Sequence, residues 1–407
     1  MKRLLKLVRV WLEDNWRLSL VVIAGLGAVS LLLLFKLGSL VHGLSGAEFE
    51  LQQTVANSAI TPETLLRNPL YLPYFLALYI VQLGPFHGPS AIRVTGALFG
   101  LLGAIGFFYI LRKWYTLRMA VFGTALFATS SWFLHTARYA SPESTYLLLP
   151  LLIAGVVHIQ GKARSRVVLG LVAILGLLTL YIPGLIWFLL PAVILERRII
   201  LRSIKLQPIW FVIGLGVVAL LLLAPLVAMI MWPLGLSNAQ DNILAILGLP
   251  THLLSPMQFV ENTGHLLANI FAYNTQGALY VPGHLPWLDA STAGLALIGM
   301  YQFVVHFRLD RTKLIALVGI LGATLIALGG PIPLVLLLPF LYLLAVEGMK
   351  WLLDMWLSVF PRNPFARMFG IGVVVVLILT TSLYHLNRYY LAWGHSPETR
   401  AVFNKVP

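Results

Sequence analysis

IWFVIGLGVVALLLLAPLVAMIM, residues 209–231, carries no charged side chain over twenty-three consecutive positions. Wound as an α-helix it would reach roughly 34 Å, enough to cross the ~30 Å hydrocarbon core of a bilayer. A soluble helix would keep one polar face, and this run has none. Working outward, comparable runs lie near residues 18–40, 91–111, 118–135, 291–307 and 368–386. Shorter or Pro/Gly-interrupted runs lie near 144–159, 166–181, 184–196, 314–329 and 332–347. The pattern predicts an all-α polytopic membrane protein with about eleven transmembrane helices, a single domain over residues 1–407. Composition agrees, since 59% of the 407 residues are hydrophobic and 10% charged, more apolar side chain than a soluble fold of this size covers.

The net charge of +14 is placed in short clusters between the apolar runs, as in cytoplasmic loops that touch anionic lipid, rather than in a nucleic-acid-binding patch. The absence of cysteine excludes disulfides, thiolate nucleophiles and Cys metal sites. The opening MKRLLKLVRVWLEDNWR reads as a basic amphipathic lead-in to a retained start-transfer helix, with the amino terminus cytoplasmic.

One run, Pro69–Gly84 (PLYLPYFLALYIVQLG), decides the topology. If it crosses, Arg112, Lys113 and the Arg197–Lys205 cluster fall on opposite sides from the other basic loops. If it does not, 21 of the 28 basic residues fall on one side, leaving Lys36, Arg67, Arg93, Arg138, Arg388, Arg400 and Lys405 on the other. Pro69–Gly84 therefore reads as an interfacial or re-entrant helix on the outer face, and an odd number of spans puts the carboxyl terminus outside. Two long outer segments result, about 41–90 and 232–290. The second carries His252, Glu261, His265, Tyr273, His284 and Trp287 without metal-ligand spacing.

Two outer carboxylate sites stand out. In Gly46–Gln52 (GAEFELQ), Ala47, Leu51 and Val55 recur at helical spacing, so a short amphipathic helix lies on the membrane. Glu48 and Gln52 share one face of it and Glu50 points about 200° away, so one glutamate at most faces a common site. The second site is Arg138-Tyr139-Ala140-Ser141-Pro142-Glu143-Ser144, where Ser141 and Pro142 start a helix and Glu143 complements its dipole. Arg67, Arg93 and Arg138 lie beside these acids, and guanidinium groups suit phosphate oxygens. The bland alternatives are favourable first-turn acids and snorkelling arginines.

In this order the pieces resemble the GT-C class of membrane glycosyltransferases, specifically the dolichyl-phosphate-mannose protein mannosyltransferase group and the bacterial aminoarabinose transferases. The likeness covers about residues 40–160 and runs through Gly46–Gln52, Asn68-Pro69-Leu70-Tyr71, Ala91-Ile92-Arg93-Val94, the basic turn Arg112–Arg118 and Ala137–Glu143. The tail Asn387–Trp393 resembles the family's outer carboxyl-terminal segment. The resemblance implies a plasma-membrane or inner-membrane enzyme that moves a sugar from a polyprenyl-phosphate donor to an outer-face acceptor (protein, lipid or glycan). Glu48 falls at the family's catalytic acid, with Glu50 as the competing assignment. Glu143 falls at the second-loop acid, and Arg67, Asn68, Arg93 and Arg138 at positions able to hold the lipid phosphate. The chemistry expected is single displacement: a carboxylate accepts the acceptor's proton, and fixed positive charge receives the leaving phosphate. A divalent ion, Mg²⁺ or Mn²⁺, is compatible with Glu143 and phosphate oxygens but not required. The departures are Ala47-Glu48 where the family has an Asp-Glu pair, Glu143 where Asp is usual, and an uncharged Gly329–Pro333. A transporter or lipid flippase and a catalytically inactive scaffold are the rival readings, the former disfavoured by span interiors nearly free of charge and by the lack of an internal repeat.

Overall fold

The computed structural model describes residues 16–57, 69–84, 88–161, 165–231, 239–252, 254–275, 279 and 284–405. Helices are α1 Trp16–Leu34, α2 Gly46–Asn57, α3 Leu72–Gln82, α4 Pro89–Trp114, α5 Leu117–Thr129 and α6 Ser131–Arg138. A 3₁₀ turn, Pro142–Leu148, leads into α7 Leu149–Gly161, followed by α8 Arg166–Thr179, α9 Ile186–Leu195, α10 Arg197–Lys205 and α11 Ile209–Met231. The second half holds α12 Ala239–Leu247, α13 Pro256–Phe271, α14 Ala290–Val305, α15 Asp310–Ala327, α16 Leu338–Val359, α17 Pro364–Leu386 with a π-helical end at Asn387–Trp393, and α18 Pro397–Val402. Among the described residues the one β-type pairing is an isolated antiparallel bridge between Leu44 and Lys405.

Among the described residues, five stretches are long and apolar enough to cross a bilayer: Pro89–Trp114, Pro142–Ile159, Ile209–Met231, Leu334–Val359 and Pro364–Trp393. The pair α5–α6, bent by 61°, makes a sixth if taken as one span. The expected eleven crossings are thus met in part only, the remaining apolar helices, such as Arg166–Thr179 and Ala290–Val305, being shorter. Tyr181-Ile182-Pro183-Gly184 ends α8, with Gly184 at φ +75°, and Pro191 sits inside α9. Helix α3, expected to lie along the interface, spans eleven residues, or roughly 16 Å, short of a crossing.

Helix α4 is the hub, packed against α1, α3, α5, α6, the 3₁₀ turn and α7. Its close approach to the chain from Ala137 to Leu151 depends on a stripe of glycines. A Cβ at Gly96 would lie 2.9 Å from the carbonyls of Ala137 and Tyr139, and one at Gly100 2.5 Å from the Ala137 Cβ. One at Gly103 would lie 2.5 Å from the Leu147 carbonyl, and one at Gly106 2.4 Å from the Leu151 amide. Small residues let backbones touch where lipid offers no hydrophobic drive for helix association. That stripe holds the 137–151 segment against the same helix that carries Arg93.

Candidate functional site

The site forms where the segment after α1 meets the turn after α6. Ser45-Gly46-Ala47-Glu48 starts α2 as a reciprocal cap. The Glu48 amide donates to Ser45 Oγ at 3.2 Å, and the Ser45 amide donates to Glu48 Oε2 at 3.2 Å. Both are backbone donors left without partners at a helix start. The helical phase then turns Glu48 into the protein, where it has no exposed surface, and leaves Glu50 exposed.

A buried carboxylate needs a partner, because an unpaired charge in a low-dielectric interior costs several kcal/mol. Arg93 supplies it bidentately: Nε donates to Glu48 Oε1 at 2.8 Å and Nη2 to Oε2 at 2.7 Å. The remaining Arg93 donors reach the carbonyls of Leu37 (3.4 Å), Val41 (3.2 Å) and Gly43 (2.9 Å). All five guanidinium hydrogens are therefore engaged. The Ala140 amide, from the turn after α6, donates to Glu48 Oε1 at 3.2 Å. That bond joins the two acidic segments.

Arg138 acts on the same stretch of chain from the other helix. It donates to the carbonyls of Leu32 (2.6 Å), Leu33 (2.9 Å) and Phe35 (2.7 Å), and to the hydroxyls of Tyr389 and Tyr390 (3.1 Å each). The last carbonyls of α1 lack intrahelical donors, and Arg138 caps them. Its guanidinium also lies over both tyrosine rings, 5.3 and 5.0 Å from their centroids. Two arginines from two helices thus tie down residues 32–43.

Glu143 differs. It is half-buried at the start of the 3₁₀ turn, its amide donating to Ser141 Oγ at 3.2 Å. Its charge acts on the phenols of Tyr71, Tyr139 and Tyr146. Burial pushes the Tyr139 phenol up to about 12, against the pull of its Ser45 hydrogen bond, with the charges of Glu48 and Glu143 adding to the rise. Burial likewise raises Tyr71 to about 12, a hydrogen bond with Tyr146 opposing it and the Glu143 charge reinforcing it. Tyr139 thus feels both carboxylates and stays a hydrogen-bond donor, 2.8 Å from Ser45 Oγ.

The space between these groups is small. Glu48, Arg93, His135, Arg138, Tyr139 and Tyr389 line a cavity of ≈ 20 Å³ closed by Trp393 and Phe403, room for about one water. The carboxyl-terminal strap completes the closure through the Leu44–Lys405 bridge, and Phe403 lies 5.7 Å from the Arg93 guanidinium.

Of the residues the sequence singled out, Glu48, Arg93 and Arg138 line one cavity; Glu143 is not among its lining residues and follows three positions after Ala140, whose amide binds Glu48, and Glu50 is exposed. Arg67 and Asn68 lie outside the described residues. The expectation that Glu48 serves as a base meets its complete enclosure, and the expectation that Arg93 and Arg138 receive a lipid phosphate meets donors already committed to protein oxygens. Among the described residues no group of three or more His, Asp or Glu side chains is arranged to hold a metal.

A second polar chain passes unnoticed in the sequence. Asp289 caps α14, accepting from the amides of Ser291 and Thr292 and from the Ser291 hydroxyl. His385 Nε2 lies 2.9 Å from Asp289 Oδ1, and His385 Nδ1 lies 3.1 Å from Ser131 Oγ. Burial alone would raise the Asp289 carboxyl, but the bonds from His385, Ser291 and Thr292 hold it below the usual carboxylate range. The order resembles a nucleophilic triad, yet Ser131 has no exposed surface, so the chain ties α6, α14 and α17 together. Asp289-Ala290-Ser291-Thr292 before an apolar run is a legible cap signal; nothing local marks His385 as its partner.

No family model matches this chain, and no curated protein is similar to it.

Proposed function

We propose that this membrane protein transfers a sugar from a polyprenyl-phosphate-linked donor to an acceptor hydroxyl at the face where Glu48 and Glu143 lie, with Glu143 as the base. The observation that supports this reading is the junction of the two acidic segments, made by the Ala140 amide on Glu48 Oε1 at 3.2 Å. In the proposed step the acceptor oxygen attacks the anomeric carbon, its proton passes to the Glu143 carboxylate, and the bond to the lipid phosphate breaks with inversion. Glu48 and Arg93 are positioning groups: their ion pair fixes the segment against which the 139–143 turn rests. With Arg93 and Arg138 engaged by the protein, Arg67 remains the sequence's candidate cation for the leaving phosphate, and Glu143 would be the carboxylate to hold a divalent ion, which would supply further positive charge there.

The test uses purified full-length protein in lipid nanodiscs with a panel of radiolabelled polyprenyl-phosphate sugars and a mixed acceptor pool. Release of water-soluble or acceptor-bound label by the native chain, and its loss by at least about 10²-fold in Glu143→Gln at unchanged thermal unfolding, is the expected result. No release by the native chain from any donor, or full activity in Glu143→Gln, refutes it. One observation favours a second reading, a non-enzymatic scaffold: the ≈ 20 Å³ cavity is too small for a sugar phosphate. The same experiment separates the two.

A further inference from the structure

A different region carries an independent site. Helix α10, Arg197–Lys205 (RRIILRSIK), divides cleanly around its axis. Arg197, Arg198, Leu201, Arg202 and Lys205 fall within about 140° of arc, and all five are exposed. Ile199, Ile200, Ser203 and Ile204 fill the opposite side and face inward. The three isoleucines form one wall of a cavity of ≈ 430 Å³ between α7, α8, α9, α10 and α11. That volume lies within the ~300–1,000 Å³ of small-molecule pockets. Its lining is apolar throughout except for Glu196, and Phe211, Val212 and Leu215 of α11 close the far wall. Arg166, at the start of α8, adds a cation beside the cluster, 5.7 Å above the Trp210 ring.

The bland reading is that α10 is an interfacial helix whose basic residues rest on headgroups. The cavity goes beyond it. A partly open apolar cavity next to four exposed cations matches an amphiphile with a hydrocarbon tail and an anionic head, and neither a protein partner nor a nucleic acid meets both demands. The site is also remote from the proposed reaction, since the cavity takes in Ile159 at the far end of α7 from Glu143.

We infer that this chain holds an anionic phospholipid from the leaflet at its basic face, one acyl chain occupying the α7–α11 cavity and the phosphate lying on Arg197, Arg198, Arg202 and Lys205. Polybasic segments at a membrane surface favour anionic lipid, each cation contributing separately, and the cavity converts that diffuse attraction into retention of single molecules.

Delipidated full-length protein is titrated with dioleoyl phosphatidylglycerol or dioleoyl phosphatidylcholine in detergent, and bound lipid is counted by native mass spectrometry. Tenfold or tighter retention of the phosphatidylglycerol is expected, lost in R197Q/R198Q/R202Q/K205Q. Gly216 lines the cavity, and a Cβ there meets nothing within 4 Å, so Gly216→Leu adds bulk at the cavity's edge without a backbone clash. It should reduce retention of both lipids at least about fivefold while thermal unfolding stays native-like; Ala173→Phe is the second filling variant should Gly216→Leu fail to fold. Equal retention of the two lipids by the native chain, or retention untouched by both the charge and the filling variants, overturns the inference.

Discussion

Replacing Glu48 by Gln tests the central junction most directly. The substitution keeps the size of the side chain and one acceptor oxygen but removes the charge that Arg93 faces at 2.7–2.8 Å. Arg93 is 4% exposed and cannot turn to solvent. Removing one partner of a buried pair costs about 3–5 kcal/mol, chiefly because the other charge is left uncompensated. The Ser45 and Ala140 amides, which also donate to this carboxylate, retain at best one good acceptor between them, at ~1–3 kcal/mol for each group left unmade. The three carbonyls bound by Arg93 soften this loss by continuing to hold its guanidinium. The net expectation is about 3–5 kcal/mol, read as a fall in midpoint on the order of 5 °C or more in nanodiscs. Comparison at one scan rate is needed because membrane proteins of this size tend to unfold irreversibly. The companion Arg93→Met should be at least as damaging, since it strands Glu48 together with the carbonyls of Leu37, Val41 and Gly43. A Glu48→Gln protein whose unfolding midpoint matched the native value would refute the buried pair and with it the assignment of Glu48 as a positioning group.

Gly100→Leu should lower the yield of folded protein and cost about 1–3 kcal/mol or more, because its Cβ already falls 2.5 Å from the Ala137 Cβ; Gly25→Ala, with open space around it, should leave the unfolding midpoint unchanged or slightly raised. Arg138→Met should expose the end of α1 to protease, as the carbonyls of Leu32, Leu33 and Phe35 lose their shared donor; cleavage within residues 35–45 at the native rate would count against it. The depressed Asp289 carboxyl contributes stability that is present above the unfolded value of about 3.9 and is lost as pH falls below it. Unfolding midpoints measured from about pH 5 down to 3 should therefore fall more steeply for the native chain than for Asp289→Asn, and parallel curves would contradict the hydrogen-bonded carboxylate.

The all-helical class with long apolar helices and the phase that separates Glu48 from Glu50 were legible, because each is a local property of hydropathy or helical angle. The span count was not. The apolar run near 332–347 begins with a 3₁₀ turn at Leu334–Leu337 and continues as α16 past Glu347 and Lys350 to Val359, so the end of an apolar run does not mark the end of a helix. Partner choice was the larger blind spot. Ser45 and Glu48 stand three apart and spell a capping box, yet the glutamate's main partner is forty-five residues away on another helix. The glycines of α4 recur at 96, 100, 103 and 106, a stripe visible in the sequence, but what lies against it is set by the path of residues 137–151.

The distribution of charge explains why the proposed chemistry is placed on Glu143 rather than Glu48. A segment that links two helices without being helical itself, as much of 35–45 does, exposes carbonyls that no helix satisfies, and in a water-poor setting those must find donors. Arg93 and Arg138 meet that need, and once buried, Arg93 requires a carboxylate of its own. Glu48 is therefore determined by the fold of the loop. Glu143 has no cation in contact with it among the described residues, and its charge helps raise the phenols of Tyr71 and Tyr139, which burial pushes to about 12, so they stay protonated and do not compete for the acceptor role proposed for it. The two roles respond differently to shortening by one methylene. Glu48→Asp cannot reach Arg93 bidentately while also capping α2, so it should lose stability nearly as Glu48→Gln does. Glu143→Asp should keep the native unfolding midpoint and retain measurable transfer where Glu143→Gln has none. Transfer unaffected by Glu143→Asp and Glu143→Gln alike would remove this residue from the reaction.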